Sequence, residues 1–118
     1  MNFINKLSNS NTFDKNDAVV SFDRKELGLI FNIYGKMVAH GEWRDYGISF
    51  LKEVSIFSIY KNYSECPIYM VQKRPVLAKK QGMYSIVAMD GRILKRGHDL
   101  SNVLRVFNQK TLRIVKKS

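Results

Sequence analysis

The apolar pattern of residues 23–40 constrains the fold more than any other feature of this chain. Its apolar residues recur with the 3.6-residue period of an amphipathic helix: Leu27, Ile30, Phe31, Tyr34, Met37 and Val38. Asp23 and Glu26 have the spacing of a capping box, in which each side chain accepts a hydrogen bond from the backbone amide of the other residue. Gly41 then suits a helix end. We therefore predict a helix over residues 23–40.

The apolar period then changes from that of a helix to the alternation of strands. Strands are predicted at residues 46–50, 54–60, 68–73, 84–89 and 92–96. Between the last two, Asp90-Gly91 indicates a hairpin with a type I′ turn, in which both residues adopt positive φ. A second helix is expected after its cap, Asp99, and a last short strand over Leu112–Val115. The apolar face of the second helix holds Leu100, Val103, Leu104 and Phe107.

Helices beside a run of hairpin-connected strands indicate an α+β fold. The predicted order is an N-terminal helix, an antiparallel meander of about five strands, a second helix and a short C-terminal strand. Residues 1–20 are polar and lack a period, so we expect a flexible tail before a single domain of residues 21–118. The single cysteine, Cys66, excludes an internal disulfide and suits a reducing cytoplasm. Neither a secretory signal nor a membrane-spanning segment is expected.

The net charge of +10 lies entirely in one half of the chain. Residues 21–60 carry five basic and five acidic groups, whereas residues 61–118 carry thirteen basic groups against three acidic ones. Such a concentration of one sign favours an anionic partner, and we expect nucleic acid, with RNA before DNA, or an acidic protein surface. A basic surface without any partner is the remaining alternative.

Three basic pairs fall at strand ends or in a loop of the predicted meander. They form the candidate nucleic-acid-binding site: Lys73, Arg74, Lys79, Lys80, Lys95 and Arg96. Four tyrosines are interleaved with them: Tyr60, Tyr63, Tyr69 and Tyr84. Basic groups that follow a phosphate backbone, together with rings on which bases stack, are typical of proteins that bind single-stranded nucleic acid. Tyrosines on strands also pack in cores, so the rings alone do not decide the function.

A tryptophan between charges of both signs, Glu42-Trp43-Arg44-Asp45, offers an alternative function. Trp and Arg contribute most to binding at protein interfaces. The alternative is an adaptor that docks on an acidic protein surface through Trp43 and Arg44. In a purely structural interpretation, ion pairs in this segment pin a corner of the fold.

His98 and Asp99 invite a catalytic interpretation, but adjacent side chains diverge and do not easily form the His–carboxylate hydrogen bond of a triad. No serine or cysteine lies in a nucleophile-elbow motif. Asp99 is placed to cap the second helix, and Gly97 lets the chain leave the strand. Two histidines and one cysteine do not complete a tetrahedral metal site. We therefore predict a protein that is not an enzyme, with no cofactor, no metal and no membrane partner.

Five segments stand out as specific strings: FDRKEL (22–27), YGKMVAHGEWRDY (34–46), KRP (73–75), QGMYS (81–85) and GRILKRGHDLSNVLRV (91–106). They resemble a small family of uncharacterised alphaproteobacterial proteins that is classed as a domain of unknown function. The resemblance covers about residues 22–115 and leaves the N-terminal tail outside. It implies a bacterial, cytosolic protein, and it implies no activity, ligand or catalytic residue.

Overall fold

The structure, a computed structural model, describes residues 18–61 and 66–108. In chain order its elements are helix α1 (Arg24–Ala39), strands β1 (Asp45–Phe50), β2 (Ser55–Tyr60) and β3 (Tyr69–Lys73), a 3-10 helix (Pro75–Leu77), strands β4 (Tyr84–Ala88) and β5 (Ile93–Gly97), and helix α2 (Leu100–Val103). Helical backbone is also present at residues 105–108. The predicted α+β fold is confirmed, with its N-terminal helix, five antiparallel strands and second helix. The predicted strand over Leu112–Val115 lies outside the described residues.

The five strands form one sheet in the order β1-β2-β3-β4-β5. Each strand pairs antiparallel with the next, as short connections require. The pairing of β1 with β2 is regular over six residue pairs, from Asp45 opposite Tyr60 to Phe50 opposite Ser55. The pairing of β4 with β5 is irregular between Ile86 and Val87. The two edges of the sheet therefore differ in regularity.

The start of α1 follows from its capping box. The Asp23 N–H donates to Glu26 Oε1 at 2.7 Å, and the Glu26 N–H donates to Asp23 Oδ1 at 2.8 Å. These two bonds satisfy amides that the first turn of a helix cannot pair internally. The helix ends at Ala39, and Gly41, with φ of +75°, turns the chain towards β1. The predicted helix is confirmed at both ends.

The core lies between α1 and one face of the sheet. Phe57, Val71 and Ile86 stand in register on β2, β3 and β4, and all three are fully buried. Helix α1 covers them with Ile30, Ile33 and Met37. The predicted second helical face is also confirmed, because its four apolar residues are all buried: Leu100, Val103, Leu104 and Phe107.

The buried stripe of α1 is rotated from the predicted one. Ile33 is buried although it lay outside the predicted stripe, whereas Phe31 and Val38 are 37% and 40% exposed. Apolar residues cover more than half of the circumference of α1, so the 3.6-residue period alone allows more than one stripe. The packing of α1 against the sheet determines which stripe is buried. Phe31 extends over the edge strand β1 and contacts Tyr46, with ring centroids 5.2 Å apart.

The hairpin at Asp90-Gly91 forms where it was predicted, but the type I′ turn was wrong. The Gly91 N–H donates to the Ala88 carbonyl and the Ala88 N–H to the Arg92 carbonyl, both at 2.9 Å. Gly91 has φ of +87°, and no described non-glycine residue has positive φ. This is a type I turn followed by a glycine bulge. The physical reason is the Asp90 carboxylate, which accepts a hydrogen bond from the Arg92 N–H at 3.0 Å while Asp90 keeps negative φ.

The predicted N-terminal tail is only partly described, since residues 1–17 lie outside the described residues. The Val20 N–H donates to the Leu51 carbonyl at 2.7 Å. Phe22 is 5% exposed and belongs to the core. The last residue of the predicted tail is therefore attached to the connection between β1 and β2.

Candidate nucleic-acid interface

Three strand ends meet at one end of the sheet: the end of β3, the start of β4 and the end of β5. Residues 74–83 connect β3 to β4, and the Arg74 N–H closes this connection with a hydrogen bond to the Met83 carbonyl at 2.7 Å. Within the loop, the Gly82 N–H donates to the Leu77 carbonyl at 3.0 Å. These bonds fold the loop back on itself and hold it at this end of the sheet.

A close backbone approach places the same loop against β5. Gly82 has φ of +106°, and a Cβ added to it would lie 2.5 Å from both the carbonyl carbon and the carbonyl oxygen of Gly97. Only glycine combines this conformation with so short a distance. The Lys79-Lys80 segment therefore lies near the end of β5, where Arg96 precedes Gly97.

Five of the six basic residues predicted to bind nucleic acid lie on these segments. We call them the basic sheet end: Arg74, Lys79, Lys80, Lys95 and Arg96. The three lysines are exposed and the two arginines are half-buried. Within the described part of the chain, the ion pairs are Lys73–Glu26 and Arg92–Asp90. No described carboxylate therefore compensates any charge of the basic sheet end.

Lys73, the sixth predicted residue, is engaged elsewhere. Its Nζ lies 2.8 Å from Glu26 Oε1 and donates to the Ser21 carbonyl at 3.0 Å. Its side chain is 15% exposed and that of Glu26 is 9% exposed. A carboxylate this far from water needs a cation and hydrogen-bond donors, and Lys73 supplies the charge. The Lys73 ammonium therefore ties α1 to β3, and we leave it out of the interface.

Tyr84 completes the surroundings of Glu26. Its hydroxyl donates to Glu26 Oε2 from the start of β4. Burial, and after it this hydrogen bond to the carboxylate, raise the pKa of Tyr84 above its ordinary value. The neutral hydroxyl is therefore the stable form, and it acts as a donor that fixes α1 over β4.

A row of polar residues extends from the basic sheet end onto the sheet face opposite α1. Gln72, Ser85 and Arg96 stand opposite one another in register on β3, β4 and β5. Because side chains alternate between the two faces of a strand, this row lies on the other side from Val71 and Ile86. Sequence reasoning found Arg96 but missed Gln72 and Ser85. The alternation of side chains between the two faces of β3 and β4 was the signal that could have identified these two residues.

The four tyrosines do not form one stacking surface among the described residues. Tyr69 contacts Trp43 and Phe107 on the helix-covered side, and Tyr84 is buried against Glu26. Tyr60 is half-buried and, by alternation, lies on the opposite face. Tyr63 lies outside the described residues.

Trp43 and Arg44 differ in exposure. Trp43 is 2% exposed, and its ring contacts Phe107 edge-on with centroids 4.9 Å apart. Tyr34 and Tyr69 flank the same ring at 6.0 and 6.3 Å. Arg44 is exposed. The Trp43 ring therefore lies in the core, so an adaptor surface at this corner has Arg44 but no exposed tryptophan.

His98 and Asp99 lie between β5 and α2. Asp99 Oδ1 accepts a hydrogen bond from the Ser101 N–H at 3.2 Å, which confirms the predicted helix cap. His98 is exposed. Within residues 18–61 and 66–108, no three His, Cys, Asp or Glu side chains gather as a metal site. The helices in this part of the chain are too short or too polar to cross a bilayer.

These features define an α+β domain with a five-stranded meander, one helix-covered face and a basic end without described counter-charges. The chain belongs to the DUF2794 family, described as a protein of unknown function, whose family model matches residues 20–104. The match begins at the residue attached to Leu51 and ends at the C-cap of α2. Comparison with curated proteins and with solved structures gave no match.

Proposed function

We propose that this protein is a non-catalytic module that binds RNA, holding its phosphates at the basic sheet end. The observation that carries the proposal is the presence of five basic residues on the β3–β4 connection and on β5, without a described acidic partner for any of them. Lys95 is opposite Ile86 on the helix-covered side, and Arg96 is opposite Ser85 on the other side. A phosphate that meets such a group releases condensed counterions, and this release drives binding. Lys73 and Arg92, by contrast, already have carboxylate partners.

The neighbouring sheet face supports RNA in single-stranded form. The polar row of Gln72, Ser85 and Arg96 begins at the basic sheet end, and Tyr60 lies on the same face. Ser85 is 3% exposed, so the groups of this row that can bond the edges of unpaired bases are the half-buried Gln72 amide and Arg96 guanidinium. A duplex hides these base edges from a flat sheet. One RNA strand can therefore place its phosphates at the basic sheet end and its bases over this face of the sheet.

This proposal places the protein in a bacterial cytoplasm, where RNA is abundant. The single cysteine, which allows no internal disulfide, supports a reducing compartment. The adaptor alternative receives less support, because the ring of Trp43 is buried.

Charge reversal at the basic sheet end tests the proposal. The test variant carries glutamate at Lys79, Lys80, Lys95 and Arg96. A matched control carries the same number of reversals at exposed residues outside the basic sheet end: Arg24, Lys25, Lys36 and Arg105. Binding is measured by fluorescence anisotropy of a labelled single-stranded oligouridine, and circular dichroism checks that both variants fold.

We expect the test variant to lose most of its affinity for RNA and the control to keep most of it. Equal losses in both variants would show that net charge alone attracts RNA. Full binding by the test variant would refute the proposal. If neither the natural chain nor the control binds RNA but both bind polyglutamate, the adaptor function is favoured instead.

A further inference from the structure

A second apolar stripe runs along α1 beside the one that faces the sheet. Its members recur at i, i+4, i+7 and i+11 and are half-buried or exposed: Leu27, Phe31, Tyr34 and Val38. Tyr46 and Ile48 of β1 lie on the helix-covered side of the sheet, where Tyr46 is exposed and Ile48 is half-buried. We call these six residues the α1–β1 surface.

The aromatic rings of this surface adjoin one another. Phe31 and Tyr34 each contact Tyr46 edge-on, with ring centroids 5.2 Å apart in both pairs. Phe31 and Tyr34 also contact each other, with centroids 6.4 Å apart. Single exposed apolar residues are common on proteins, whereas an adjoining group that includes Phe31, Val38 and Tyr46 is typical of a surface that another segment or a partner covers.

The described chain begins beside the strand that forms one side of this surface. The Val20 N–H donates to the carbonyl of Leu51, the residue that directly follows β1. Two further contacts hold the same segment, because the Ser21 carbonyl accepts a hydrogen bond from the end of β3 and Phe22 is buried in the core. Residues 1–17 are therefore tethered at the end of β1.

The tethered segment is long enough to cover the α1–β1 surface whatever its conformation. β1 spans six residues, which is about 20 Å at about 3.3 Å per residue. Residues 1–17 span about 56 Å when fully extended and about 26 Å as a helix. Both lengths exceed that of the surface.

The composition of residues 1–17 also suits this surface. The charges of two lysines and two aspartates cancel. The segment contains large apolar residues that can be buried there: Phe3, Ile4, Leu7 and Phe13. A neutral segment meets no repulsion from residues 21–60, in which five basic groups balance five acidic ones. The same balance offers no electrostatic attraction to RNA or to an acidic protein.

We propose that residues 1–17 return along β1 from the Val20–Leu51 hydrogen bond and pack their apolar side chains on the α1–β1 surface. A covalently tethered segment has an effective concentration of about a millimolar, so it outcompetes a free partner or a second copy at ordinary protein concentrations. The surface is then covered from within the chain. The segment is docked, in place of the flexible tail that its lack of periodicity predicts.

The accessibility of a thiol tests this docking in the full chain. In a Cys66→Ser background, Val38→Cys places the single thiol on the α1–β1 surface, and Met89→Cys places it at an exposed position after β4 as a control. The rate of alkylation by N-ethylmaleimide is followed by mass spectrometry. Deletion of residues 2–17 should raise the rate at Val38→Cys about ten-fold or more, because a docked segment admits the reagent only while it is detached. The rate at Met89→Cys should not change.

Point substitutions provide a second measurement that does not depend on the folding of the shortened chain. Ile4→Ser/Leu7→Ser should also raise the rate at Val38→Cys, whereas the matched polar variant Asn5→Ser/Asn9→Ser should not. A rate that neither the deletion nor the apolar substitutions change would overturn the proposal. A rate that falls as the protein concentration rises, with or without the segment, would also overturn it and assign the surface to a second copy of the chain.

Discussion

Replacing Gly82 by alanine should destabilise the fold severely, for two separate reasons. The residue has φ of +106°, a region where a side chain costs about 1–3 kcal/mol. The new Cβ would also lie 2.5–2.7 Å from three backbone atoms of Gly97, which cannot rotate away as a side chain can. Overpacking of this kind costs about 1–3 kcal/mol more. The expected loss is about 2–6 kcal/mol, a large part of the roughly 5–15 kcal/mol that stabilises a typical domain.

Urea unfolding followed by circular dichroism measures this loss, with Gly35→Ala as the control. A Cβ at Gly35 meets no atom within 4 Å, and the residue lies inside α1. Alanine there should raise the free energy of unfolding by about 1 kcal/mol, through helix propensity alone. If Gly82→Ala cost less than about 1 kcal/mol, the loop would not lie against β5 as described, and the position of Lys79 and Lys80 would lose its support.

Two further substitutions separate structural residues from binding residues. Lys73→Met should lower the free energy of unfolding in urea by about 2–3 kcal/mol. This loss is smaller than that for breaking a fully buried ion pair, because both side chains keep some exposure. The affinity for RNA should stay nearly unchanged. A large loss of affinity without a loss of stability would return Lys73 to the interface. Asp99→Ala should cost about 1 kcal/mol in thermal melts while Asp99→Asn costs little, since both Asp and Asn cap helices. Equal damage by both would give the Asp99 carboxylate a role other than capping.

Local signals in the sequence were sufficient to locate the elements. The capping box at Asp23 and Glu26 set the start of α1, and Asp90-Gly91 located the β4–β5 hairpin. Both depend on hydrogen bonds within a few residues, which spacing reveals. The turn type was wrong because the Asp90 side chain satisfied the Arg92 amide without positive φ, an alternative that the dipeptide alone does not exclude.

Contacts between distant segments could not be predicted in the same way. Lys73 looked like a member of the basic site because its neighbours are basic, yet its partner Glu26 lies 47 residues earlier. Trp43 was a candidate anchor because Trp and Arg contribute most at protein interfaces, yet its ring packs against Phe107 near the end of the described chain. The predicted stripe of α1 was wrong at Phe31, Ile33 and Val38 for the same reason. These outcomes depend on strand register and helix placement, which local patterns do not contain.

The salt dependence of RNA binding tests the central claim most directly. If the five groups of the basic sheet end each neutralise one phosphate, the slope of log K against log salt should be about −3.5 for a single strand. The variant with glutamate at Lys79, Lys80, Lys95 and Arg96 keeps Arg74 alone, so its slope should fall to about −0.7. The control reversed at Arg24, Lys25, Lys36 and Arg105 should keep the original slope. A slope reduced equally in both variants would contradict a localised interface and leave only the net charge of the chain.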